Sequence, residues 1–505
     1  MARSTARASA AGRTLVTSLP APFGGWNARD PLDAMPPSDA IRLENFFPDA
    51  GSVRVRDGWA TYCSEGASDF TTLHEHRGAA SRVFLGAAGG KLYSVSATAT
   101  QLGTGYTSDW WQAITYKDTT ILVNGADAPQ SYDGGTAMSN AGFTATGLTN
   151  TDLIYVEAFK GRLFFAEKNT ANLWYGGTGA ITGALTKFDL AQIARRGGSL
   201  QAIGGWSREN GTQLADLLVL VMSSGEILVY SGIDPATDFA LAATIYGAEP
   251  IGRRCLAKIG GDLVVITRAG YLPVSLLLQG WSADAIAAKS VWGKVAPAVR
   301  DAAVLYGGND GWQAFVPSLG DRVIFNVPLV EGSSYEQHVF NPATGAWARY
   351  TNLNARCWGE SNNEVYFGHS GEVRKHAGTA DGTGTIDFKA KGAFAYLAGR
   401  GPERQWTMIR PVLSVGGTLA AGLGVDVDFG DRTIDPASTT FSASSSGSAW
   451  DDPDWDTPDW GGGVEMVSKW VSAGGIGRAA AVRFEGSASG QQIRWFSTDF
   501  LVRSA

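Results

Sequence analysis

His74 and His76 stand two apart in LHEHR, so a strand would present both imidazoles on one face. Such a pair can ligate a divalent metal. No third ligand is recognisable, since His338, His369 and His376 lie far away in sequence, and surface or core histidines are the reading kept. A second candidate is AWDDPDWDTPDW (449–460), where Asp451, Asp452, Asp454, Asp456 and Asp459 crowd together without a nearby cation. Oxygen-rich loops bind calcium, but the DxDxDG order and the closing Glu of a calcium loop are missing. The interleaved tryptophans leave two readings open, a solvated turn or a loop docking on a partner through Trp450, Asp452, Asp454, Trp455, Asp456 and Trp460. The third candidate is basic. Arg outnumbers Lys 29 to 12, and the densest pairs are Arg195-Arg196 and Arg253-Arg254. Guanidinium forks suit phosphate and carboxylate oxygens alike, so these pairs are expected at a DNA-facing channel, an interface or surface ion pairs.

Reaction chemistry is harder to find. There is no GxxxxGK[ST], no HExxH and no GxSxG, and GGIGRA (474–479) and GLG (422–424) lack the strand–helix context of nucleotide loops. The Ser-x-Asp-x-Gly-x-Thr-Trp boxes of propeller sialidases are absent too. The expectation is a protein that is not an enzyme and holds no cofactor and no metal.

The elements that must position these residues follow from composition. The chain has 505 residues, enough for two or three domains. Lys+Arg 41 against Asp+Glu 48 gives a net charge of −7, which disfavours general nucleic-acid coating without excluding a local basic surface. Charged residues make up 18%, apolar residues 44%, and there are 65 Gly and 17 Trp. Few charges with many glycines and aromatics indicate short strands joined by tight turns. Cys63, Cys255 and Cys357 are too sparse for a disulfide framework, and reduced thiols in a cytoplasm at the time of folding are expected. No apolar run is long enough to span a bilayer; the densest is LADLLVLVM (214–222). Arg3, Arg7 and Arg13 are followed by no apolar segment, so no secretory signal is expected.

Residues 1–22 read as a flexible arm. Residues 23–64 read as a docking segment, with a short helix starting near Ser38 and stopped by Pro48, then the strand SVRVR. From 65 to 380 one pattern recurs, a Gly turn, an apolar or aromatic strand, a turn and another strand: GGKLYSV (89–95), GRLFFAE (161–167), GEILVYSG (225–232) and NEVYFGHSGEVRKH (363–376). The spacing fits four-stranded blades, about five to seven of them. The exception is DAIAAKSVWGKVAPAVRDA (284–302), a helix candidate interrupted by Pro297 and read as an insertion between blades. From 381 to 505 the alternating runs TMIRPVLSV, GVDVDFGDR, AAAVRFEGS and QQIRWFSTDFLVR read as a sandwich, with the acidic tryptophan loop at 442–463. The fold class expected is all-β: a degenerate β-propeller followed by a β-sandwich or jelly-roll-like module, with an extended N-terminal arm.

The stretch 22–59 carries Gly24-Gly25 followed by Asn27, then Leu43-x-Asn45, Phe47-Pro48, a strand and Arg56-x-Gly58. The run 475–503 holds R-x-x-x-x-R-F, a polar turn and a last strand. Together these resemble the tail nozzle, or packaged-DNA stabilisation, proteins of short-tailed bacteriophages. The resemblance implies a structural virion protein, made in the host cytoplasm and assembled into the virion tail. It implies a homohexameric tube that joins an adaptor ring above and fibres or spikes around it. The tube touches packaged double-stranded DNA transiently, retains it and passes it on ejection. Under this reading Arg3, Arg7, Arg13, Phe23, Gly24, Gly25, Trp26, Asn27, Asn45, Phe47, Arg56 and Gly58 are candidate subunit or adaptor contacts. A mildly acidic wall lets DNA slide, whereas a strongly basic one holds it. Two rivals stand beside it. One is a carbohydrate-binding or carbohydrate-active propeller, from the exposed Trp and Asp of the 450–460 loop; the other is a kelch-like interaction protein, from NPATGAW (341–347).

Overall fold

The structure, a computed structural model, describes residues 14–209, 214–397, 399–442 and 465–504. They form two compact units. One comprises the described residues up to Arg56 together with those from Thr379 onward; the other runs Asp57–Gly378. The propeller is thus an insertion within the sandwich, not a domain that precedes it, and the segment 23–64 expected to dock as a separate piece is divided, its residues up to Arg56 belonging to the sandwich and the rest to the propeller unit.

The Asp57–Gly378 unit is a ring of seven blades among the described residues. The blades with four strands start at Thr72–Arg77, Gln112–Tyr116, Leu153–Phe159, Leu200–Glu209 and Gln313–Phe315. Two blades have three strands. The fifth holds Leu256–Ile259, Asp262–Thr267 and Gly270–Pro273, and the seventh Cys357–Ser361, Glu364–Lys375 and, from the other end of the unit, Ala60–Asp69. That last pairing, with Asp69 opposite Ser370 and Ala60 opposite Lys375, closes the ring. Closure ties the two ends of the unit into one blade, so that among the described residues the edges left are the blades' own outer strands, such as Ala99–Thr104 and Ala240–Tyr246. Within blades, two-residue turns such as Gly89-Gly90 and Asn362-Asn363 place both residues at positive φ, the geometry that matches strand twist. The apolar faces pack blade against blade. Phe164 and Tyr175 of the third blade meet Leu218 and Tyr230 of the fourth, and Phe70 and Tyr93 meet Tyr366 where the ring closes. Tyr271 and Phe325 stack at 3.9 Å between the fifth and sixth.

The expected helical insertion is present as Ala283–Lys289 and Ala296–Tyr306, after the last strand of the fifth blade. Ser282 caps the first through its hydroxyl, and Pro297 sits in the first turn of the second, where a missing N–H costs nothing. Among the described residues no helix is long and apolar enough to cross a membrane.

The other unit is a two-layer sandwich. In one layer the central strand Ile493–Ser504 lies between Arg404–Val415 and the short strands Ser52–Val55 and Thr14–Pro20. In the other, Asp39–Glu44, Ile386–Gly392, Ala480–Ala488 and Thr418–Val427 pair in that order. Between the layers Phe46, Phe388, Phe484 and Trp495 form one aromatic cluster, with centroids 5.2–6.5 Å apart.

Two expectations fail here. The segment 39–44 is a strand, not a helix. A helix ended by Pro48 would close only a few hydrogen bonds after a costly nucleus, whereas this strand gains a ladder with Ile386–Gly392 and Gly25–Trp26. The arm also holds a strand: Thr14–Pro20 pairs with 497–503 through seven registered partners.

Candidate functional site

Residues at the inner strands of six of the seven blades, all but the fourth, line an axial cavity of about 400 Å³. His74 lines it and makes a 3.2 Å contact through Nε2 with Thr115 Oγ1; His76 Nδ1 lies 2.9 Å from Thr120 Oγ1. The two imidazoles are thus fixed to hydroxyls of the second blade, and Thr115 and Thr120 join each other at 2.8 Å. Burial, with His76 and Arg77 nearby, pushes His74 down to about 4, so its ring is neutral at pH 7. Glu75 also lines the cavity and is held by the seventh blade. Its Oε1 accepts from Ser361 Oγ and the Asn362 N–H of the seventh blade at 3.0 and 2.9 Å, and its Oε2 pairs with Arg77. Among the described residues no group of three His, Cys, Asp or Glu side chains is placed to hold a metal ion.

Arg254 is the central feature of the axis. It enters from the start of the fifth blade and reaches across to the first and second. Nη1 donates to Thr71 O at 2.8 Å, and Nη2 donates to Thr72 Oγ1 and Trp111 O at 2.7 and 2.8 Å. Its guanidinium also sits 4.8 Å from the centre of the Trp110 ring. Three oxygens and an aromatic face offset a charge that burial disfavours, and burial holds Arg254 down to about 10. Arg254 and Gln112 also line a second cavity of about 220 Å³, so they form a wall between the two spaces. Arg253 lines that second cavity and donates to Asn124 O at 2.7 Å.

The structure does not bring the two arginine pairs together. Arg195 and Arg196 lie exposed in the link between the third and fourth blades. Their backbone N–H groups donate to the Glu226 carboxylate, and the Arg196 guanidinium lies over Tyr246. Tyr155 and Glu157, which alternate along one inner strand, were not among the residues singled out from the sequence. Burial pushes Glu157 up to about 8 despite Lys258 and the Gly205 N–H, which act to lower it. A lone acid in the otherwise apolar LIYVEAF was the available signal.

The residues that carry the sequence resemblance sit in the sandwich unit, apart from Gly58. Arg56 is 2% exposed and grips Asp381 with both guanidinium nitrogens, at 2.9 and 2.8 Å. Its Nε donates to Asn45 Oδ1 at 2.8 Å, and Asn45 Nδ2 donates to Asp387 O at 2.7 Å. Asn45 holds a left-handed turn at φ 58°. Asn27 Nδ2 donates to Asp30 and Asp39, while its Oδ1 receives the N–H groups of residues 29 and 30. A side chain at Gly24 would collide with the Asp39 carboxylate. Trp26 and Phe47 are buried, Phe23 is half-buried, and Gly25 takes φ 84°. Gly58 belongs to the propeller unit, where its carbonyl accepts from His376 at 3.0 Å. These residues build the fold from within. Arg3, Arg7 and Arg13, and Trp450, Asp452, Asp454, Trp455, Asp456 and Trp460, lie outside the described residues.

No family model matches the sequence, and no curated protein matches it. Solved structures do resemble it in outline. The YCF48 structure described as bound to D1 peptide has a TM-score of 0.38 at 10% identity, covering 63% of this chain and 95% of that one. The WD40 propeller domain of Doa1 gives 0.37 at 10% identity, with 63% and 95% covered. Raptor from Chaetomium thermophilum gives 0.39 at 10%, over 65% of this chain and 30% of that one. Likenesses of this degree say nothing of what the chain binds.

Proposed function

We propose that the protein is a structural component of a virion, the distal tail nozzle of a short-tailed bacteriophage. In this role it closes the channel over packaged DNA and lets the DNA pass on ejection. The observation that supports this most is the joining of the two stretches that carry the resemblance. The first, 22–59, contributes Phe46–Asp49 and Ser52–Val55; the second, 475–503, contributes Ala480–Ala488 and Ile493–Ser504; and all four strands share one sandwich. A motif split across some four hundred residues that folds into one unit is a coherent architectural element, and loose sequence matches gain weight from it. A closed propeller and a sandwich give a rigid subunit, suited to resisting internal DNA pressure. The single-residue strut of Arg254 across the propeller axis argues that DNA passes elsewhere, through a channel formed between subunits.

Removal of the coding region from the genome that carries it tests the proposal. The expected result is particles that package DNA and then lose it, with adaptor-bearing heads free of the distal tail. Stable, DNA-filled, infectious particles without the protein would overturn it.

A further inference from the structure

Two adjacent guanidinium groups line the second axial cavity, about 220 Å³ in volume, at the end of the propeller where the inner strands begin. Among the described residues neither Arg253 nor Arg254 hydrogen-bonds or ion-pairs with a carboxylate; their hydrogen-bond acceptors are backbone carbonyls and the Thr72 hydroxyl, and Asp310 acts on both through its charge alone. Arg253 donates to one carbonyl through one nitrogen, which leaves most of its fork for an acceptor the chain does not supply. A second observation points the same way. Gln112 Nε2, on the wall of the same cavity, is buried and has no acceptor. A buried donor without an acceptor is costly unless something fills the place. Asp310 is the one carboxylate on the lining, so two positive charges face one negative charge. Burial lowers Arg254 only to about 10, which leaves it charged at neutral pH.

We propose that this cavity binds a small phosphate-type oxyanion, free phosphate or a terminal phosphate group, held by Arg253 with Arg254 and Gln112 as the inner wall. The planar fork of Arg253 suits two oxygens of such a group, with the charge of Arg254 beside it. The proposal does not depend on the virion role and would hold for any protein with this axis. The size of the space admits a small anion and not the backbone of a duplex.

The test is calorimetric titration of the full-length protein with inorganic phosphate, beside a short DNA duplex in the same buffer. Saturable phosphate binding is expected. Arg253→Gln, which keeps a donor for Asn124 O, should weaken it at least tenfold, and Asp310→Asn should tighten it several-fold by removing the opposing charge. Arg196→Gln, exposed on a different link, should leave it unchanged. The Asp310 variant keeps the test sound if the Arg253 variant folds poorly, because a purely structural role gives no reason for tighter binding. Absence of saturable phosphate binding, binding of the duplex alone, or a phosphate affinity indifferent to both Arg253 and Asp310 would each overturn the proposal.

Discussion

Arg56→Ala is the perturbation whose consequence follows most directly from the geometry. Arg56 and Asp381 are 0% and 12% exposed at the side chain, and the pair is bidentate at 2.9 and 2.8 Å. Removing the guanidinium leaves the Asp381 carboxylate, largely out of water, without this counter-ion, and removes the Nε donor to Asn45 Oδ1. Loss of one member of such a pair costs about 3–5 kcal/mol. The partial exposure of Asp381 sets the expectation near the lower end, about 3 kcal/mol, with the Asn45 bond included. The loss falls on the sandwich, because Asn45 and Arg56 flank the strands Phe46–Asp49 and Ser52–Val55. Hydrogen exchange read on the peptide 39–56 should therefore speed up about a hundredfold, since each 1.4 kcal/mol is about a factor of ten. Exchange in the propeller strands should change far less. The double variant Arg56→Met with Asp381→Leu should recover a good part of the loss, because no unpaired charge remains buried. An acceleration below about tenfold in Arg56→Ala, or a double variant worse than either single one, would refute the reasoning.

Three further outcomes follow. Deleting residues 1–22 should lower thermal stability by several degrees in a melting scan, and by more than deleting residues 1–13. The longer deletion strips the ladder from 497–503 and removes Leu19 and Ala21, 8% and 0% exposed. His74 holds its proton only below about 4 in the fold, against 6.5 when unfolded, so the unfolded chain protonates first. Stability present above pH 6.5 is therefore lost as pH falls towards 4, and His74→Gln should flatten that limb in denaturant melts at a series of pH values. Glu157 has the opposite sign. It keeps its proton to about 8 in the fold and to 4.5 when unfolded, so stability falls as pH rises between those values, and Glu157→Gln should gain more at pH 8.5 than at pH 5.

The blades were legible because their information is local. In GRLFFAE and GEILVYSG the turn residue, the alternation and the β-branched or aromatic side chains all agree, and both segments are strands. The segment 39–44 was misread because Ser38, Leu43 and Phe46 also fit a helical start, and the partner that decides the matter, Ile386–Gly392, lies more than three hundred residues away. The same distance hid the insertion of the propeller: Asn45 finds Asp387, and Arg56 finds Asp381, only after a whole domain has intervened. The axial site was half legible. Arg253-Arg254 stood out as a basic pair, but its setting depends on Thr71, Trp111 and Asn124, which closure of the ring brings to it from distant blades. Gln112 and Glu157 carried too little signal alone, since a single polar residue in a strand is as readily a surface position as an axial one.

Electron microscopy of the purified full-length protein, alone and mixed with the phage adaptor, tests the central claim most directly. The account predicts rings or short tubes of six copies around an open centre, with propellers outside that centre. A protein that stays monomeric with adaptor present, or that assembles with the propeller axis as its only passage, would contradict it.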